Sequence, residues 1–185
     1  MAKASVAQSS LATYRAKRDF AKTSEPARKK AVPSSAKLRF VIQRHDATRL
    51  HYDFRLELDG VLKSWAVPKG PSTNPKDKRL AIQTEDHPLE YASFEGTIPE
   101  GQYGAGTVIV WDTGSYKNMS KKDGLDITLA QALENGHAAI WLEGKILSGG
   151  YALTRTPRGW LLVKMRDEKA DAKRDILKES PGSVL

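Results

Sequence analysis

The chain has 185 residues, a length for one domain with flexible ends, and its 39% hydrophobic residues are enough for one ordinary core. It contains no cysteine, which excludes disulfides and thiolate metal sites and suits a reducing cytoplasm. Charged residues at 28% argue for a soluble protein, no apolar run approaches the roughly 20 residues needed to span a bilayer, and the basic N-terminus has no apolar stretch behind it to make a secretory signal.

Residues 1–36, rich in Ala, Ser and Lys with Pro26 and Pro33, read as a basic, partly disordered arm that holds at most a short helix within residues 11–20. Residues 1–37 carry nine Lys or Arg against two acids, so +7 of the net +8 sits there. Such an arm beside a near-neutral domain fits a polyanionic partner, and equally a solubilising tail. The domain proper spans residues 37–167. Apolar, β-branched residues 38–45 predict a strand. Residues 51–58 alternate strictly, with His51, Asp53, Arg55 and Glu57 on one face of a strand and Tyr52, Phe54, Leu56 and Leu58 on the other. Asp59-Gly60 is a hairpin signal, and residues 61–68 form the return strand. Further strands are expected at residues 79–86, 106–116, 138–144, 149–156 and 159–167, with a helix over 123–136 ending at Gly136. Residues 168–185 read as a charged tail. The fold class is mostly β: a β-barrel or curled sheet with flanking helical elements. The four tryptophans fall in strand contexts, so core packing is their default role.

The chemistry concentrates in residues 43–60. His51, Asp53 and Arg55 project from one strand face, and a bend across the polar link Asp46–Arg49 brings His45 to the same place. Two imidazoles and a carboxylate suffice as ligands for a divalent transition metal. Arg55 adds a planar cation suited to phosphate oxygens. Two other readings stand beside this one. A half-buried strand also shows its polar face to water, and two histidines with an acid on a β-barrel also describe non-haem iron oxygenases. Arg55 and the basic arm favour phosphate. Downstream, Lys69 is presented by a Pro-Lys-Gly-Pro turn, Arg79 begins a strand, and His87 precedes Pro88 and is held extended; each also reads as an ordinary surface or loop residue. The glycine-rich stretch Gly101–Gly106 does not follow a strand and open a helix, so it reads as tight turns and not as a nucleotide loop.

These residues resemble a known family. The stretches FVIQRHDATRLHYDFRLELDGVLKSWAVPKGP, EDHPLEYASFEGTIPEGQYGAGTVIVWDTG and GWLLVKMRDE, with YRAKRDF in the arm, are similar to the 3′-phosphoesterase domain of bacterial ATP-dependent DNA ligase D, including its stand-alone versions. The likeness runs from Tyr14 to about Arg166. It implies a β-barrel with helical elements outside, and manganese, or another divalent transition metal, held by His45, His51 and Asp53. It implies that Arg55 and His87 contact the phosphate, with Lys69, Arg79, Gln43 and Tyr91 nearby. It adds Arg18, Asp19 and Glu25 to the residues needed for activity, so part of the arm should close over the site with nucleic acid bound. The implied activity removes a 3′-terminal ribonucleoside and then the 3′-phosphate, leaving a 3′-OH for repair. The implied substrates are 3′ ends of DNA or RNA-tipped DNA on a primer–template. The implied partners are a separate end-joining ligase, a polymerase or Ku, in the cytoplasm and on the nucleoid, with no membrane. No ligase or polymerase module is attached in this sequence, which fits a stand-alone protein or an excised piece. A rival of another class is a DNA-end binding module without turnover; an intact set of His45, His51, Asp53, Arg55 and His87 argues against it.

Overall fold

The structure, a computed structural model, describes residues 10–27 and 37–185. The expected disorder of the arm therefore lies, for residues 1–9 and 28–36, outside the described residues. The alternating segments become β1 (Arg39–Asp46), β2 (Leu50–Leu58), β3 (Val61–Val67) and β4 (Arg79–His87). Asp59 and Gly60, both at positive φ (52° and 81°), make the tight turn between β2 and β3. After a short 3-10 helix (Leu89–Ser93) come β5 (Gly96–Ile98), the long β6 (Gly106–Asn118), β9 (His137–Gly144), β10 (Ser148–Thr156) and β11 (Gly159–Lys164). Eight antiparallel strands close a barrel in the order β1-β2-β3-β4-β11-β10-β9-β6, with β6 returning to pair with β1, and β5 adding a short ninth strand on β6.

The main core draws side chains from all eight barrel strands, among them Phe40, Ile42, Phe54, Trp65, Ala81, Trp111, Ile140, Leu153 and Trp160, so it fills the barrel interior. Trp65, Trp111 and Trp160 pack there as expected, whereas Trp141 is only half-buried. A second cluster lies on the opposite face of β1 and β3. Val41, Val61, Leu62, Val108 and Val110 are covered by Leu89 and Tyr91 of the 3-10 helix, by Phe94 and Ile98, and by Leu11 and Tyr14 of the arm. The arm contributes through α1 (Ala12–Ala16), the short helix expected in residues 11–20. A shift of register between Ile42 and Gln43 opposite β6 leaves Trp111 as the extra residue. This bulge flips the alternation of β6, so that Val108 and Val110 face the outer cluster while Tyr116 faces the interior.

The helix expected over 123–136 is shorter. Asp123 and Gly124, at φ 53° and 75°, turn a small hairpin between β7 (Lys121–Lys122) and β8 (Leu125–Asp126). Only α2 (Leu129–Glu134) is helical, started by a capping box of Thr128 and Gln131. The Asp-Gly pair outcompetes helix there for the same reason it makes a turn at Asp59-Gly60. The charged tail runs along the barrel wall: α3 (Ile176–Glu179) buries Ile176 in the main core, and the Val184 amide donates to the Val110 carbonyl at 2.9 Å. Among the described residues no helix is long and apolar enough to cross a membrane.

Candidate functional site

The polar face of β2 points away from the barrel interior, into a cavity of about 280 Å³ lined by His45, His51, Asp53, Arg55, Thr84, Glu85, His87 and Tyr103 among others. Antiparallel pairing sets His45 directly opposite His51, with ring centroids 4.7 Å apart. The bend at residues 47–49 is what makes that register. Asp53 lies between the two rings: its Oδ2 is 3.4 Å from His45 Nδ1 and its Oδ1 is 3.5 Å from His51 Nε2. One ligand atom from each of the three residues falls within 4.8 Å of the others.

The remote ring nitrogens show which atoms are free to ligate. His45 Nε2 donates to the Gly104 carbonyl at 2.7 Å, and His51 Nδ1 donates to the Arg49 carbonyl at 2.9 Å. Each N–H is thus used on the backbone, and the lone pairs of His45 Nδ1 and His51 Nε2 are turned toward Asp53. Tethering of this kind fixes tautomer and ring orientation in metal-binding histidines. The donor set therefore fits a divalent transition ion, and a merely solvated strand face has no need of the tethers. Burial opposes ionisation of Asp53, but the Arg55 charge, together with hydrogen bonds from either imidazole whenever that ring carries a second proton, holds its carboxyl well below the usual carboxylate range. Burial also disfavours the charged His51 ring, yet its hydrogen bond to Asp53 outweighs this and raises its pKa above 6.5.

Arg55 and His87 form the other half of the pocket. Arg55 is 3% exposed; its Nη2 is 3.4 Å from Asp53 Oδ2 and its Nη1 is 3.1 Å from His87 Nδ1. Its Nε donates to Gln43 Oε1 at 2.7 Å, and Gln43 Nε2 donates to the carbonyls of Tyr91 and Phe94. The Tyr91 ring sits 4.9 Å from the guanidinium. Gln43 and Tyr91 are buried and are not among the residues that line the cavity; they hold Arg55 from behind. His87 is 4% exposed, and burial with the charges of Arg55 and Arg18 pushes its pKa well below 6.5. The ring is neutral: Nδ1–H donates to the Glu85 carbonyl at 2.8 Å, which leaves Nε2 as acceptor toward Arg18 Nη2 at 3.4 Å.

The arm completes the site. Arg18 donates to Glu25 Oε1 at 2.9 Å and to Glu85 Oε1 at 3.1 Å, and stacks 3.9 Å from the Tyr14 ring. Glu25 also accepts from the hydroxyls of Tyr91 and Thr23 at 2.9 and 3.0 Å. Residues 10–27 therefore lie over the pocket. Asp19 is exposed; its carboxylate accepts from the Ala21 amide at 3.1 Å and caps the turn that carries the chain back to Glu25. Lys69 and Arg79 are not brought into this cavity. Lys69 lines a separate groove with Arg44, Leu50, Leu177 and Lys178, and Arg79 lines a depression with Asp77 and Arg174. Sequence reasoning passed over Glu85, although it stands two residues before His87 on one strand and so shares its face. It also passed over Tyr103 and Gly104, whose glycine-rich loop carried no signal beyond turns.

The comparisons with known proteins follow the same lines. Residues 43–155 match the family model described as the DNA ligase D 3′-phosphoesterase domain. The chain is 54% identical over 95% of its length to the multifunctional non-homologous end joining protein LigD of Pseudomonas aeruginosa. It is 44% identical over 86% of its length to the protein of the same name from Mycolicibacterium smegmatis. It is 48% identical over 86% to the multifunctional non-homologous end joining DNA repair protein LigD of Mycobacterium tuberculosis. The chain spans about a fifth of the length of these curated relatives (21%, 21% and 20%). The chain belongs to the DNA ligase D 3′-phosphoesterase domain family.

Proposed function

We propose that the protein is a metal-dependent phosphoesterase that heals DNA 3′ ends, removing a 3′-terminal ribonucleoside and then the 3′-phosphate to leave a 3′-OH. One observation carries this reading: two imidazoles, each tethered through its far nitrogen to a backbone carbonyl, converge with Asp53 beside a buried arginine and a neutral histidine. Membership of the family and the end-joining names of its relatives support it. A divalent ion held by His45, His51 and Asp53 would supply Lewis-acid polarisation of a phosphoryl oxygen. Manganese is the proposed ion; imidazole and carboxylate suit it, and affinity alone lets other transition ions compete.

The chain's own residues supply the rest. Arg55, clamped by Gln43 and Tyr91, presents its Nη atoms to the phosphoryl oxygens and meets the charge that grows there. His87 enters neutral. A phosphate dianion at the pocket offsets the two arginines that depress the ring, so Nε2 takes up a proton from solvent and either holds it in a hydrogen bond to the phosphate or passes it to the leaving oxygen as the P–O bond breaks. Arg18 approaches the same nitrogen and takes the outer side of the phosphate, which explains why the family resemblance carries arm residues. Lys69 and Arg79, outside the cavity, act on more distant phosphates of the strand. Work at DNA ends places the protein on the nucleoid in the cytoplasm, beside a ligase, a polymerase or Ku.

The test is release of phosphate from a 3′-phosphate primer–template, and of the terminal nucleoside from an RNA-tipped one, with Mn²⁺ and in excess EDTA. Activity with the ion and none in chelator is expected. Full activity in EDTA refutes the metal role, and binding of ends without turnover under any divalent ion would make the protein an end-binding module instead.

A further inference from the structure

The chain has six tyrosines. Five are packed away: Tyr14, Tyr52, Tyr91, Tyr116 and Tyr151 are each 5% exposed or less. Tyr103 is 46% exposed, and it alone of the six lines the cavity that holds His45, His51, Asp53 and Arg55. Burial therefore does not explain it. Its loop is nonetheless fixed. The Gln102 amide donates to the Pro99 carbonyl and the Ala105 amide to the Gln102 carbonyl, both at 3.1 Å. Gly104, the next residue, accepts the tether from His45, and Gly106 lies so close to β1 that an added Cβ would sit 2.3 Å from the Asp46 carbonyl oxygen. From the arm, Lys17 Nζ reaches the hydroxyl at 3.3 Å and stands 4.7 Å from the ring centroid, while Arg18 Cζ stands 5.3 Å from it. An aromatic ring is thus held on a rigid turn, steadied by two cations and left open on the rim of the pocket.

We propose that Tyr103 is the stacking platform for the nucleoside next to the phosphate that reacts. The inference rests on the proposed 3′-end function. A strand whose terminal phosphate sits at Arg55 and His87 must place its adjacent nucleoside at the rim, and Tyr103 is the aromatic ring other than the histidines that lines this cavity. Stacking suits the task, because every base has a π-face and an end-processing site must accept any of them. The cations beside the ring extend the platform toward the backbone phosphates.

The experiment measures steady-state kinetics of Tyr103→Ala, Tyr103→Phe and Tyr103→Trp on two 3′-phosphate primer–templates. One ends in an ordinary nucleotide and the other in an abasic sugar. Loss of a stacked base is expected to raise KM for the ordinary end by roughly five- to a hundredfold in Tyr103→Ala, with kcat little changed. Phe and Trp should hold KM near the wild-type value. On the abasic end, wild type and Tyr103→Ala should converge. An unchanged KM for Tyr103→Ala overturns the inference, as does an equal loss on both ends. Phe behaving like Ala also overturns it, because the hydroxyl contact to Lys17 would then carry the role. A wild-type protein inactive on both substrates with Mn²⁺ would instead refute the 3′-end function itself.

Discussion

Asp53 has two tasks, and separating them tests the reading of the site. It is a proposed metal ligand, and it is also the carboxylate closest to the buried Arg55 guanidinium, 3.4 Å away with side-chain exposures of 3% and 8%. Asp53→Asn leaves that cation without its nearest anion; Gln43 and the neutral His87 remain, and neither carries charge to offset it. Charges near 4 Å apart attract by about 4 kcal/mol at an effective dielectric of about 20. Breaking a buried pair from one side costs about 3–5 kcal/mol, so the two magnitudes agree. In a chain of this size each kcal/mol moves the melting temperature by roughly 2–4 °C, which puts the expected loss at roughly 6–20 °C in metal-free protein. Removing both charges in Asp53→Asn/Arg55→Gln should be milder than the single change, because no unpaired ion stays behind. Calorimetric melting of the three proteins in EDTA is the assay. If Asp53→Asn melts with wild type, or if the double variant is less stable than the single one by the sum of its parts, Asp53 does not hold Arg55 and the loss of activity in Asp53 variants reports the metal alone.

Other outcomes follow from the same contacts. Glu25→Gln keeps the shape of the acceptor but removes the charge facing Arg18, weakening charge-assisted bonds worth about 1.5–3 kcal/mol, so amides of residues 10–27 should exchange roughly ten- to a hundredfold faster with the barrel amides unchanged. His87 has a depressed pKa, so its neutral form is compatible with folding above pH 6.5, and as pH falls below that value the unfolded chain takes the proton first. Stability should therefore fall on acidification by up to about 1.4 kcal/mol per pH unit from this group, and His87→Gln should flatten the slope in denaturant titrations between pH 7 and pH 5. Neutralising Arg28, Lys29 and Lys30 together should flatten the slope of log affinity against log salt by up to about 3 units with the rate at saturating DNA retained, whereas Arg18→Ala should cut that rate; like behaviour of the two variants would make the arm a tether only.

Local pattern made the barrel wall legible, because period-two alternation and Asp-Gly turns are properties of adjacent residues. His51, Asp53 and Arg55 could be placed on one face by counting, and His45 by the short link to β2. Residues joined by long-range packing could not. Glu85 meets Arg18 and Lys17 only because α1 docks on the outer cluster through Leu11 and Tyr14. The same docking converts Arg18 and Glu25 from arm charges into a buried pair. Gln43 was expected among the residues near phosphate, but one turned-in amide bridging Arg55 to two carbonyls is a matter of depth, which alternation does not report. Lys69 and Arg79 share the neighbourhood in sequence yet open onto other hollows, since the turn after β3 and the start of β4 lie around α3 and the tail.

The charges of the pocket also bear on how an anion would be admitted to it. Arg18 and Arg55 are buried with Asp53, Glu25 and Glu85, each side chain 8% exposed or less, so the enclosed side chains sum to −1 when the histidines are neutral. A phosphate monoester dianion entering that surrounding would bring it to −3 in a poorly solvated space, which is costly. A divalent cation held by His45, His51 and Asp53 would bring it to +1, and the dianion would then return it to −1. Without the ion, the raised pKa of His51 lets a proton take part of that role, so ion binding should release protons and weaken as pH falls. Phosphate affinity should accordingly depend on the ion. Titration calorimetry of inorganic phosphate into the protein should show binding with Mn²⁺ present and little or none in EDTA, with Asp53→Asn losing the dependence. Equal phosphate affinity with and without the ion would mean that Arg18, Arg55 and His87 hold the anion by themselves, and that the carboxylates across the pocket are screened from it.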